Sequence, residues 1–182
     1  MGPAEPATTG LHGIQRMSKP IDVFVMNDWD RELGAARGTR LGPRAGAVEL
    51  GCALFELDPG GQAAPYHAHY GNEELLVVLA GEVELRTPEG KQVLRRGEVL
   101  GFPAGPDGAH RLRNTSQEKA RYLLVSTMRF PEVAEQLDTG TVLAMKGPGD
   151  GWAFPAGASG DYVSLLQAAL EAEDDQGSGS SV

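Results

Sequence analysis

Between Ala47 and Met128 the apolar residues come in short runs, several of them alternating with polar residues, and glycine-rich breaks separate the runs. Such alternation marks strands with one buried face, because successive side chains point to opposite sides of a sheet. "AVELGCALFELDPG" reads as a strand closed by an Asp-Pro-Gly turn. "EELLVVLAG" and "EVELRT" read as two more; in the second, Val83 and Leu85 share one face while Glu82, Glu84 and Arg86 take the other. "TPEGK" supplies a tight turn, "QVLRRGEVLGFPAG" gives two short strands around Gly97, "HRLRN" alternates again, and "ARYLLVSTM" is a last apolar strand. Short strands without intervening helices predict an antiparallel sandwich or small barrel, an all-β fold.

The flanks read differently. Residues 1 to 20 are rich in Pro, Gly and Thr without periodicity and are expected to form a mobile arm, with Met17 a candidate start. "IDVFVM" is expected to be a short strand at a sheet edge, and Asp28 to Gly46 a loop with a helical turn. Beyond "MRFPEV" the pattern weakens, and "PEVAEQLDTG" suits either a lid or a cover for a sheet edge. "DYVSLLQAALEAE" has apolar residues at helical spacing, which predicts a helix over 161–173, capped by Asp161 and packed on the barrel. The final "DDQGSGSS" is expected to be disordered. The chain thus divides into an arm with an edge strand (1–46), a barrel (47–130) and a C-terminal extension (131–182).

Composition narrows the function classes. The 182 residues are one domain's worth, and a net charge of −9 argues against a nucleic-acid surface, which needs clustered Lys and Arg. The single cysteine, Cys52, forms no intrachain disulfide and reads as a small core residue. No run approaches the roughly 18 apolar residues of a membrane span, and the N-terminus has no signal-peptide core. A cytoplasmic protein is expected, with a small-molecule ligand and a second copy of itself, as a homodimer, for partners.

The chemistry sits in the histidines, of which there are four. In a strand His67 and His69 face together, with Ala68 turned to the outer face. Glu74 lies five residues past His69, which in an unbroken strand is the opposite face; a turn or bulge at "YGN" would bring it back inward, together with Leu76 and Val78. "HRLRN" turns His110, Leu112 and Asn114 one way and Arg111 and Arg113 the other. The plainer reading of any one of these histidines is a packed or solvated side chain. Together, three imidazoles and a carboxylate suit a divalent transition metal: Mn, Fe, Co, Ni, Cu or Zn. The absence of thiolates argues against structural zinc, and so many nitrogens argue against Ca or Mg. Tyr66, Tyr70, Phe102 and Met128 are candidates for a substrate pocket, and Arg111, Arg113 and Arg121 read as a solvated face.

These residues resemble the two motifs of the cupins. The first runs Gly61, five residues, His67-Ala68-His69, four residues, Glu74, six residues, Gly81. The second runs Gly97, five residues, Pro103-Ala104-Gly105, His110, three residues, Asn114, with four residues before His110 where two are usual. The resemblance covers about Ala47 to Met128. It implies a jelly-roll-like barrel with His67, His69, Glu74 and His110 as metal ligands, and it favours Glu74 over Glu73. It also implies a metal-dependent enzyme on a small organic substrate, of dioxygenase or isomerase type, or alternatively a non-enzymatic sensor of a small molecule or metal. Asn114 is expected to satisfy turn backbone groups, and the motif glycines to occupy turn positions.

Overall fold

The computed structural model describes residues 19–158 and 162–178. Thirteen strands run in chain order among these residues: β1 (Arg31–Leu33), β2 (Ala36–Arg40), β3 (Gly51–Leu57), β4 (His67–His69), β5 (Glu74–Ala80), β6 (Glu82–Thr87), β7 (Gly90–Arg95), β8 (Val99–Phe102), β9 (Arg111–Arg113), β10 (Ala120–Ser126), β11 (Glu132–Gln136), β12 (Thr141–Gly147) and β13 (Asp150–Phe154). Two helices join them, α1 (Leu41–Arg44) and α2 (Tyr162–Ser178). The strands form antiparallel sheets in the orders β1-β2-β3-β10-β5-β8, β13-β12-β11-β4 and β7-β6-β9. The result is an open, jelly-roll-like barrel.

The core lies between the six-stranded sheet and the three-stranded one. Leu57, Leu76, Val78 and Tyr122 from the first meet Val83, Leu85, Leu94 and Leu112 from the second, all buried. Alternation places them there: Glu82 and Glu84 between the core residues of β6 stay at the surface side, where Glu84 takes Lys91 and Arg111. The turn from β5 into β6 requires Gly81, whose φ of 67° lies in the left-handed region and whose position would drive a Cβ into the Lys119 carbonyl.

Asn114 acts as expected of it. Fully buried, it donates to the carbonyls of Leu57 (3.0 Å) and Glu118 (2.7 Å) and accepts from the Ser116 backbone (3.0 Å), pinning the loop before β10. Asn114→Ala is expected to lower stability by about 1–3 kcal/mol, because it strands buried carbonyls without donors. A urea titration of the two proteins checks this; an unchanged midpoint would show that the loop re-pairs without it.

Several elements differ from the sequence expectation. Residues 21–26 form a turn, not an edge strand: the Asp22 carboxylate accepts the Phe24 N–H (2.9 Å) and the Asp22 carbonyl accepts that of Met26 (3.1 Å). An aspartate that captures nearby amides competes with strand pairing. The sheet edge is β1 instead, and the stretch expected as loop also contributes β2, held along its length to β3 from Ala36↔Leu57 to Arg40↔Ala53. The weakly patterned C-terminal third holds β11 to β13, where glycines around Pro148 serve as a hairpin turn. Arg121 is not a solvated side chain: it pairs with Glu56 and donates to the carbonyls of Val23 (2.9 Å) and Phe24 (2.8 Å), tying the N-terminal turn to β10. Helix α2 extends to Ser178, into the stretch expected to be disordered, and its side chains from Tyr162 to Ala172 are all exposed, so it is not packed on the barrel. Asp161, and the arm with Met17 and His12, lie outside the described residues.

Candidate metal centre

Backbone pairing gathers the histidines. His67 and His110 form an isolated antiparallel bridge, each donating its N–H to the other's carbonyl (3.1 and 2.9 Å). His69 lies two residues along β4, and its carbonyl accepts the Gly105 N–H at 2.7 Å. Ala68, turned away from the histidines, is fully buried in a crowded cluster with Tyr66 and Ala109 against Leu137, which its small side chain suits.

The phase change between His69 and Glu74 is made by Gly71 and Asn72. The buried Asn72 side chain donates to the Arg129 carbonyl (3.0 Å) and the Glu132 carboxylate and accepts from Thr127 Oγ1 (2.9 Å) and the Arg129 N–H (2.5 Å). Gly71 lies so close to Glu132 that a Cβ would strike its carboxylate. This clamp turns Glu74 inward. His67, His69 and Glu74 each bring a ligand atom within 4.8 Å of one another. His110 joins through the carboxylate, its Nε2 3.2 Å from Glu74 Oε2, while His69 Nε2 stands 3.6 Å from the same oxygen.

The tautomers follow from the other ring nitrogen. Nδ1 of His67 lies 2.8 Å from the Pro65 carbonyl, that of His110 2.9 Å from the Gly108 carbonyl, and that of His69 3.2 Å from Glu132 Oε1. Each of these oxygens is an acceptor, so Nδ1 carries a proton in each ring and, in the neutral ring, Nε2 is left as a lone pair. Glu74 Oε2 and His110 Nε2 are buried with no well-aligned hydrogen bond despite their short separation. Buried acceptors facing one another without a donor are costly, and a cation among them removes that cost. The donor set therefore fits a metal ion.

Electrostatics agrees. Burial, then the His110 charge, lowers the His67 imidazole to about 4, so it is neutral and able to ligate at pH 7. Burial alone would raise the Glu74 carboxyl, but the close His110 and the neighbouring His69 and His67 hold it below the ordinary range. Tyr122, stacked on Phe55 at 5.2 Å, is pushed well up by burial and then by Glu74, and stays a neutral phenol.

Two lobes of a cavity, of about 350 and 460 Å³, meet at Glu74. His67 and His110 face the first and His69 the second, and Met128 lines both with a φ of 49° that is unusual outside glycine. The other pocket candidates stand elsewhere. Phe102 lies behind His110, stacked on its ring at 3.9 Å; Tyr66 sits under the Arg86 guanidinium; Tyr70 is exposed and donates to Glu135 at 2.8 Å. Aromatics beside a histidine strand here pack around the site and not in it. Cys52 reaches the first lobe, its thiol pushed up by burial.

Sequence reading missed Glu132. Buried and accepting from His69, Gly71 (3.1 Å) and Asn72, it fixes both the His69 ring and the turn to Glu74. It arrives on β11, which pairs with β4 through Ala134↔His69 and Gln136↔His67, so "PEVAEQLDTG" covers the histidine strand's edge. Tyr122 and Ser126, inward on β10 and lining the cavity, carried only the signal of alternation.

Residues 53–126 match the family model described as Cupin domain. The crystal structure of a sugar phosphate isomerase of the cupin superfamily from Silicibacter pomeroyi superposes with a TM-score of 0.63 at 25% identity, covering 70% of this chain and 82% of that one. The polyketide cyclase RemF from Streptomyces resistomycificus shares the fold, with a TM-score of 0.52 at 23% identity over 64% of this chain and 84% of its own. Residues 53–126 thus carry a cupin domain, and the fold around them is the conserved-barrel type of the cupin-superfamily structure it superposes on. A comparison with curated proteins gave no match. Among the described residues no helix is long and apolar enough to cross a membrane.

Proposed function

We propose that the chain is a divalent-metal-binding cupin that acts as a metal-dependent enzyme on a small organic substrate, of isomerase or dioxygenase type. The observation that carries this is the approach of His69 Nε2 and His110 Nε2 to one buried carboxylate oxygen of Glu74, with His67 in ligand reach of His69 and Glu74, beside a cavity large enough for a small molecule. His67, His69, Glu74 and His110 would hold Mn, Fe, Co, Ni, Cu or Zn, which when bound supplies Lewis-acid polarisation of a substrate oxygen. Around it, Glu132 orients His69, Tyr122 offers a neutral phenol donor, and the apolar walls exclude water. The likeness to a sugar phosphate isomerase supports the isomerase branch. In this reading the protein is cytoplasmic and homodimeric, with the barrel unit spanning 47–130.

Elemental analysis of protein purified without a metal-affinity tag tests it. About one equivalent of metal is expected, and loss of it in His69→Ala and Glu74→Ala. Glu132→Gln is expected to keep the fold but weaken metal affinity about 10–100-fold, because His69 loses its carboxylate partner. Absence of metal even after reconstitution would overturn the reading.

One observation favours the alternative, a non-enzymatic sensor of a small molecule or metal. Of the carboxylates lining the cavity, Asp30 is taken by Arg44 (2.7 Å) and Glu132 by His69, so among the described residues only Glu74 is left to move a proton. Stoichiometric ligand binding by metal-loaded protein without turnover would select it.

A further inference from the structure

Two cationic side chains at the cavity stand without an acidic partner among the described residues, although Asp30, Glu74 and Glu132 also line it. Arg31 and Arg40 line both lobes, one on β1 and the other at the end of β2, so the first strand pair brings two guanidiniums to one rim. The basic side chains of Arg37, Arg44, Arg86, Arg111, Arg121 and Lys119 all have acidic partners. Among the described residues, no acidic group pairs with the guanidinium of Arg31 or Arg40. Of the two carboxylates that flank Arg31 in sequence, Asp30 is unavailable, since Arg44 holds one oxygen and the Arg40 backbone N–H the other, each at 2.7 Å, and Glu32 takes the opposite face of β1.

The remaining lining is apolar. Val48, Leu50, Phe55, Leu124 and Met128 wall the first lobe, leading down to His67 and Glu74. Guanidiniums present a planar fork of donors matched to the oxygens of carboxylate or phosphate, and at the mouth of a low-dielectric cleft they attract such groups. We propose that the candidate metal site takes a small organic anion with an apolar body, its carboxylate or phosphate held by Arg31 and Arg40 and its body in the apolar lobe. This rests on the metal-site reading for the position of the reacting end, and it assigns Arg31 and Arg40 the role of specificity determinants.

Calorimetric titration of metal-loaded protein with phenyl phosphate, benzoate and benzyl alcohol tests it. One or both anions are expected to bind at least about tenfold more tightly than the neutral alcohol, and the better anion identifies the oxyanion preferred. Arg31→Ala/Arg40→Ala is expected to erase that preference while its metal content by elemental analysis stays at the wild-type value. Arg96→Ala, an exposed arginine away from both lobes, is expected to keep it. Equal binding of the three probes, no anion binding at millimolar concentration, or a preference that survives in the double variant would overturn the proposal. Loss of metal from the wild-type protein would instead sink the metal-site reading, and the two failures are read by separate measurements.

Discussion

Glu56→Ala is expected to cost about 3–5 kcal/mol, on the order of 10 °C in Tm for a chain of this size. Glu56 is only 8% exposed, and its carboxylate is the common acceptor for three cations: Arg37 (2.8 Å), Lys119 (3.0 Å) and Arg121 (Nε at 3.2 Å). Removing it leaves charged groups half-buried against the sheet without a counter-charge, which costs more than the pair itself contributes. Lys119 can swing into water and Arg37 keeps Asp58 at 2.8 Å, so most of the loss falls on Arg121 and the N-terminal turn it holds. The pH dependence has a definite sign. Burial would raise the Glu56 carboxyl, but Arg121, Lys119 and Arg37 hold it at about 2 against an ordinary 4.5. A depressed carboxylate contributes stability that is complete above 4.5 and is lost as pH falls toward 2. Urea titrations of wild type and variant at several pH values should therefore draw together progressively below pH 4.5 and meet only near pH 2. A gap that stays constant down to pH 3 would show that packing, and not charge, makes the difference.

Stripping metal with a chelator is expected to lower the stability of the wild type by about 3 kcal/mol relative to protein held at a hundredfold excess of metal over its Kd, since a ligand bound only by the folded state stabilises by mass action. That is roughly 5–10 °C in Tm, reversed by adding metal back. The same treatment should leave Glu74→Ala unmoved, because the carboxylate facing the Nε2 atoms of His69 and His110 is gone. The stripped protein has its own pH signature. His67 is lowered by burial to about 4 from an ordinary 6.5, so the unfolded chain binds its proton first and stability falls as pH drops from 6.5 toward 4. A chelator-insensitive melting curve in the wild type would mean that the cluster holds no ion under those conditions.

Much of the site's inventory was legible in the chain because local rules govern it. Alternation alone turned Leu76 and Val78 inward with Glu74, once a turn at "YGN" was allowed, and the same rule set His110 with Leu112 and Asn114. What escaped was non-local. Glu132 reaches His69 across 63 residues, and nothing near "FPEVAEQ" marks its glutamate as different from Glu135, which ends up on the Tyr70 hydroxyl. Strands β1 and β2 escaped for a related reason: "RELGAARGTR" has little apolar content, and its pairing is secured by Arg37 reaching Glu56 and Asp58 on a strand it cannot see locally. "IDVFVM" erred in the opposite direction, where apolar, β-branched content lost to one aspartate that closes a turn on itself. The pocket aromatics failed because proximity in sequence to a histidine strand does not say which side of it a ring occupies.

The pairing of β11 with β4 has a temporal side. Every strand of the six-stranded sheet, and all of His67, His69, Glu74 and His110, precede Thr127, whereas Glu132 and β11 come after it. During synthesis from the N-terminus the candidate ligands thus leave the ribosome ahead of the strand that fixes their geometry. A nascent chain ending at Ser126 owns the imidazoles and the carboxylate but has nothing to stop the His69 ring from turning or the 70–73 segment from slipping. Birth of the ingredients and birth of their alignment are separate events on this chain, and the geometry of the candidate site belongs to the second.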